Sequence, residues 1–168
     1  GLFGSLGNWG WHSKQLAESF SVYGVDLRNH GDSPHSERLD YQVMAEDVRQ
    51  LIERLGLDSC SIIGHSMGGK VAMQLALSYP DLLESMVVVD IAPVAYPEGA
   101  DNHMNVLAAM DAVKIDEVKS RTEAEVTLKE FIPEEAIRKF ILTNLISSGQ
   151  GLFGWRINKD AIRKNYPA

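Results

Sequence analysis

The chain has a single cysteine, Cys60, among 168 residues. One thiol cannot close an internal disulfide, so no disulfide framework staples these residues. Cys60 lies in an apolar run, where a small core side chain is the natural reading. No apolar stretch approaches the roughly 18 residues that a membrane-spanning helix needs. Blocks of like charge are also absent: 16 Lys and Arg against 23 Asp and Glu give a net charge of -7, spread along the chain. That distribution lacks the basic stripe that nucleic acid or an anionic membrane surface would require. The chain opens inside a glycine motif rather than at Met, so any targeting segment would lie upstream of Gly1. The compartment therefore stays open, with the cytoplasm or, in a eukaryote, the mitochondrial matrix as the expectation.

With 45% apolar residues, the chain can build at most one domain with a modest core. Residues 1–7 form a glycine-rich loop, and Asn8 can cap a helix through Trp9, Trp11, Leu16 and Phe20. Residues 21–27 read as a strand that runs into a polar, turn-rich loop at 26–34. Asp40 caps an amphipathic helix whose apolar positions Tyr41, Met44, Ala45, Val48, Leu51, Ile52 and Leu55 recur at helical spacing; Gly56 ends it. A strand at 59–63 and a mostly apolar helix at 71–79, stopped by Pro80, come next. The run at 86–91 predicts a strand buried on both faces of a parallel sheet. Strands alternating with helices over short links define an α/β fold. Residues 100–148 show no strand pattern and predict helices at 102–113, near 115–118, at 122–131 and at 134–146. Such an insertion forms a cap over an α/β site; a helical continuation of the core is the alternative. Gly-Leu-Phe-Gly at 1–4 recurs at 151–154 with unlike flanks, and the second copy reads as a turn. The expected division is a partial core at 1–94 and a cap with the start of a return to the core at 95–168.

Gly64-His65-Ser66-Met67-Gly68-Gly69 places G-x-S-x-G between a strand and a helix, the arrangement of a nucleophile elbow. Gly64 and Gly68 are expected to let strand and helix approach, and the strained turn lifts the Ser66 hydroxyl toward the first amides of the helix. A serine nucleophile needs a base, an acid to orient it and donors for the oxyanion. The Met67 N–H is one expected donor. The loop at 1–5 offers the other, Leu2 first and Phe3 second, unless it is only a structural turn. Asp90 is the candidate acid, because it ends the strand after the elbow helix and emerges on the same sheet edge as Ser66. A carboxylate in a run of valines is costly to bury alone, so a partner is expected; capping the turn before Pro93 is the alternative. Asp26 has Arg28, Asn29 and His30 nearby and reads as part of a structural network. No histidine fits the base. His65 sits inside the elbow and is expected to point away from Ser66. His30 reads as a bonded rim residue, His12 and His35 as exposed, and His103 as the start of the cap. The order Ser, Asp, His puts the base in a loop after the last core strand, beyond Ala168. This chemistry calls for no cofactor and no metal.

Together these stretches resemble one α/β-hydrolase branch, the YbfF-type esterases and their mitochondrial α/β-hydrolase-domain relatives. The resemblance is carried by Gly1-Leu2-Phe3-Gly4-Ser5, by Val25-Asp26-Leu27-Arg28-Asn29-His30-Gly31-Asp32-Ser33-Pro34, by Gly64 to Lys70, by Val89-Asp90-Ile91-Ala92-Pro93 and by Trp155-Arg156-Ile157-Asn158. It implies an α/β-hydrolase fold, a parallel sheet with flanking helices, truncated at both ends and carrying a helical cap. It also implies an ester or thioester hydrolase of small acyl substrates, with Ser66 as nucleophile, Asp90 as acid, Leu2 and Met67 as oxyanion donors and the cap after Pro93. The family has strands before the position of Gly1 and its catalytic His after that of Ala168. The strand before Gly1 would lie between those at 21–27 and 59–63, so an open sheet, an inactive chain and marginal independent folding are expected of these residues alone. A perhydrolase, haloperoxidase or C–C hydrolase, or a non-catalytic binding scaffold, are the competing functions. Oligomeric state is not legible.

Overall fold

The structure, a computed structural model, describes residues 1–96, 102–149 and 151–166. The chain divides into two compact units, Gly1–Ala95 and Tyr96–Pro167. In the first, the glycine loop leads into a 3-10 turn, Leu6–Trp9, and a short helix α1, Gly10–Leu16. Asn8 does not cap α1; it lies in the 3-10 turn, where its Oδ1 accepts from the Ser5 N–H at 2.7 Å. The helix stops short of Phe20. It buries none of its residues, and a seven-residue helix without packing does not propagate.

Helix α2, Tyr41–Arg54, forms as its pattern dictates. Asp40 accepts from the Val43 N–H at 2.8 Å, satisfying one of the first-turn donors. Met44, Ala45, Val48 and Ile52 form the buried face, which packs against α3, Met67–Ser78. Strand β1, Cys60–His65, precedes α3, and β2, Leu83–Val89, follows it. The two strands pair in parallel, with Ile63 opposite Val87, Gly64 opposite Val88 and His65 opposite Val89. α3 contributes Val71, Ala72 and Leu75 to the core on one face of this sheet.

Two expectations fail here for a common reason. Residues 21–27 form no strand and lie mostly exposed. β propensity needs a hydrogen-bonded neighbour to become a strand, and none pairs with this segment among the described residues. Likewise β2 is not buried on both faces. Val87 is 50% exposed and Ile63, its partner on β1, 40%, because among the described residues only the α3 side of the sheet is covered. Cys60 opens β1 at intermediate burial; burial and then Glu84 push its thiol up, away from the reactive thiolate.

The second unit contains α4, His103–Ala112, α5, Arg121–Lys129, α6, Glu135–Leu142, and α7, Lys159–Asn165. Its core is built from Leu107, Met110, Leu128, Ile132, Ile141, Leu145 and Ile162. Ser120 caps α5, and Glu123 reaches back to the Lys119 N–H at 2.8 Å. Arg138 is buried and bonded, its Nε to Glu125 at 3.3 Å and its Nη1 to the carbonyls of Ile132 and Pro133 at 2.9 and 2.6 Å.

Here two helical expectations and one turn are corrected. The segment near 115–118 is a single turn closed on the Lys114 carbonyl. α6 ends at Leu142, and an antiparallel hairpin follows, β3, Leu145–Gly149, with β4, Leu152–Trp155. The second Gly-Leu-Phe-Gly is therefore mostly strand. Gly149 and Gly151 take φ of +90° and +77°, the backbone that a reversal demands and that only glycine adopts freely. The Trp155 indole donates to the Met110 carbonyl at 3.1 Å, tying β4 to α4. Ala100, where the helical region was expected to open, lies outside the described residues. No helix of the described residues is long and apolar enough to cross a membrane.

Candidate active site

Ser66 stands between the last residue of β1 and the first of α3, with φ 52° and ψ −121°. A positive φ is costly for a residue with a Cβ and persists only where the surroundings enforce it. Three contacts do so. The Ser66 N–H donates to the Val89 carbonyl at 3.0 Å, fastening the turn to the end of β2. Its own carbonyl accepts from the Gly69 N–H at 2.8 Å and the Lys70 N–H at 3.2 Å, starting the helix. The third is steric: a Cβ at Gly64 would lie 2.2 Å from the Gly68 oxygen and 2.7 Å from the Gly69 nitrogen.

The motif predicts close approach at Gly64 and Gly68. The structure keeps Gly64 and moves the second requirement to Gly69, where a Cβ would meet Ile91 Cγ2 at 2.6 Å and Val88 Cγ1 at 3.1 Å. At Gly68 an added Cβ meets no described atom within 4 Å; its backbone, not its missing side chain, forms the tight contact. Gly64→Ala is therefore expected to cost about 3 kcal/mol or more, since it strikes backbone that cannot yield. Gly68→Ala should instead gain up to about 1 kcal/mol from helix propensity and a stiffer unfolded chain. Denaturant midpoints of the two variants check this contrast.

Met67 opens α3, so its N–H has no acceptor inside the helix and sits at the positive end of the helix dipole. The glycine loop starts against the elbow: a Cβ on Gly1 would stand 3.3 Å from Ser66 Cβ and 3.1 Å from His65 Nδ1. The Gly4 N–H closes a turn onto the Gly1 carbonyl at 2.9 Å, with Leu2 and Phe3 at its centre. Phe3 has φ 63° and is 2% exposed. A bulky residue in that conformation marks a constrained loop, a feature that spacing alone did not signal.

Asp90 directly follows β2, also at positive φ, 57°. Its side chain is 87% exposed and faces His65, Nε2 to Oδ2 3.7 Å. The burial argument for a partner thus does not hold, although a partner exists. His65 was expected only to point away from Ser66, and its approach to Asp90 was missed. The register shows the cause: His65 and Val89 are paired across the sheet, so the next residue of β2 emerges beside His65.

The other histidines are accounted for individually. His30 is 1% exposed, buried rather than on the rim. Its Nδ1 lies 3.0 Å from the Arg28 carbonyl; a carbonyl only accepts, so Nδ1 donates. Burial pushes this imidazole below its ordinary range. His103 bonds Tyr166 Oη at 3.0 Å within the second unit. His12 and His35 are exposed. Asp26 belongs to a hydrogen-bond network, as expected, but with Leu6, Asp32 and Ser33 rather than its nearest neighbours. Arg28 instead makes a two-pronged pair with Asp47 on α2, 2.6 and 2.7 Å.

A family model described as alpha/beta hydrolase fold matches residues 1–116. This chain belongs to the α/β-hydrolase fold family. A mouse (Mus musculus) protein named sn-1-specific diacylglycerol lipase ABHD11 is 44% identical over 172 residues, covering 98% of this chain and 55% of its own length. Esterase YbfF of Escherichia coli K12 is 34% identical over 167 residues, covering 99% of this chain and 63% of its own length. Among solved structures, a marine microorganism esterase superposes with a TM-score of 0.95 at 40% identity, over 98% of this chain and 64% of that one. The chain thus spans about half the length of the curated relatives it matches, 55% in the mouse case.

Proposed function

We propose that the whole protein is a serine carboxylesterase or thioesterase that hydrolyses small acyl esters through an acyl-serine intermediate. The observation that carries the reading is the backbone of Ser66, held at φ 52° and ψ −121° between β1 and the first amides of α3. Nothing in the packing of a plain turn calls for that strain; presenting a hydroxyl at a helix N-terminus does. In this reading Ser66 Oγ attacks the acyl carbonyl as its proton passes to a base. The tetrahedral oxyanion is held by the N–H groups of Met67 and Leu2, and its collapse expels the alcohol or thiol, which takes the proton from the base. Water then repeats the sequence on the acyl-serine and restores the hydroxyl.

Asp90 is the acid that orients the base. The base is a histidine of the whole protein beyond Ala168: His12 and His35 are exposed, His30 is buried against backbone, His103 bonds Tyr166, and His65 sits inside the elbow directly before Ser66. The second unit corresponds to the cap segment that the family resemblance implies. The name of the mouse relative makes acylglycerols the first esters to try. A fluorophosphonate probe tests the reading directly. Peptide mapping of the labelled whole protein should place the adduct on Ser66; absence of labelling, or an adduct elsewhere, would refute it.

A further inference from the structure

The carboxylate of Asp26 joins two separate stretches of chain. Its Oδ1 accepts from the Leu6 N–H at 2.6 Å and its Oδ2 from the Asp32 N–H at 3.0 Å. The Asp26 carbonyl accepts from Ser33 Oγ at 2.6 Å. Gly31, at φ +52°, lies directly on the carboxylate: a Cβ there would sit 2.1 Å from Asp26 Cγ. The Leu6 side chain, 43% exposed, passes over Gly24, where a Cβ would fall 2.0 Å from Leu6 Cδ1. The hold on Leu6 is its N–H on Asp26.

Leu6 is where the glycine loop ends and the 3-10 turn Leu6–Trp9 begins. The loop's other end, Gly1, abuts Ser66 and His65. Between the two lie Leu2 and Phe3, inside the turn closed by the Gly4 N–H on the Gly1 carbonyl. The loop is strung between one anchor at the elbow and one at Asp26. Moving either anchor turns the intervening amides.

We propose that Asp26 is a positioning residue: by holding the Leu6 N–H it sets the direction of the loop amides that face the oxyanion. The inference rests on the reading of Ser66 as nucleophile and of this loop as an oxyanion donor. A carboxylate suits the task because it accepts from two amides at once with charge-assisted bonds. An Asn in its place presents one acceptor and one NH₂, so one of the two N–H groups faces another donor. Oxyanion stabilisation depends on donor placement, and a misplacement of about 1 Å costs up to about a hundred-fold in rate.

The test compares wild type, Ser66→Ala and Asp26→Asn in the whole protein, with an aryl ester as substrate and sites counted by fluorophosphonate titration. Asp26→Asn should lower kcat per titrated site by about ten- to a hundred-fold and leave KM within about two-fold. Affinity for a trifluoromethyl ketone, whose hemiketal carries the oxyanion, should weaken by the same factor as kcat. A lower melting temperature with kcat per site unchanged, or a change in KM alone, overturns the proposal. Should Asp26→Asn fail to fold, amide exchange in the wild type decides. A Leu6 amide slowed at least about a hundred-fold over the free chain supports the clamp, and exchange at the free rate refutes it. Asp26→Asn equal to wild type beside an inactive Ser66→Ala refutes this inference alone. Full activity of Ser66→Ala refutes the nucleophile and this inference with it.

Discussion

Ser66→Ala is expected to reduce kcat of the whole protein for ester hydrolysis by about a million-fold, the scale seen when a triad serine is removed and only binding and oxyanion contacts remain. The prediction follows from what the substitution leaves in place. Alanine has a Cβ and meets the same cost at φ 52° as serine. The Ser66 N–H to the Val89 carbonyl and the two helix-starting bonds to the Ser66 carbonyl are backbone contacts and survive. The elbow therefore keeps its shape and loses only the Oγ. Melting temperature should stay within a few degrees of wild type while fluorophosphonate labelling disappears. A residual kcat above about a hundredth of wild type would mean that another group attacks the carbonyl and that the strain at Ser66 serves a different end. An unfolded variant would contradict the claim that the backbone bonds of Ser66 and the close packing at Gly64 enforce the turn.

The elbow was legible because its signal is local. G-x-S-x-G, the apolar strand before it and the apolar helix after it lie within one supersecondary unit, and geometry demands the glycine at 64 and presents the serine at 66. α2 was legible for the same reason: Asp40, the helical spacing of its buried face and Gly56 at φ +67° all sit within one element. What failed was non-local. Residues 21–27 have strand composition, but a strand exists only through its neighbour's hydrogen bonds. The hairpin at 145–155 was hidden because Leu145 and Ile146 continue the apolar spacing of α6. Only the backbone freedom of Gly149 and Gly151 reveals the reversal. The division of labour between Gly68 and Gly69 was equally out of reach, since it depends on Ile91 and Val88 crossing over α3 from β2 and the segment after it. His65 beside Asp90 is set by the β1–β2 register, which no single-strand pattern contains.

That register also frames the second large effect. Asp90→Asn is expected to lower kcat by about ten thousand-fold with KM little changed. The carboxylate is held at φ 57° just past the end of β2, whose last residue, Val89, fastens Ser66 through its carbonyl. Nucleophile and carboxylate are thus coupled through a single backbone bond. An acid in this position keeps the base histidine in the tautomer that can take the Ser66 proton, and it stabilises the imidazolium that results. An amide keeps the shape but favours the wrong tautomer. The contact with His65 cannot account for an effect of that size. At 3.7 Å, with side chains 43% and 87% exposed, it is a solvent-screened pair of little consequence. Asp90→Asn should therefore retain the wild-type denaturation midpoint and fluorophosphonate-reactive Ser66 at a greatly reduced labelling rate. A loss of only a few-fold in kcat would assign Asp90 to the surface pair with His65 and send the search for the acid to a later strand of the whole protein.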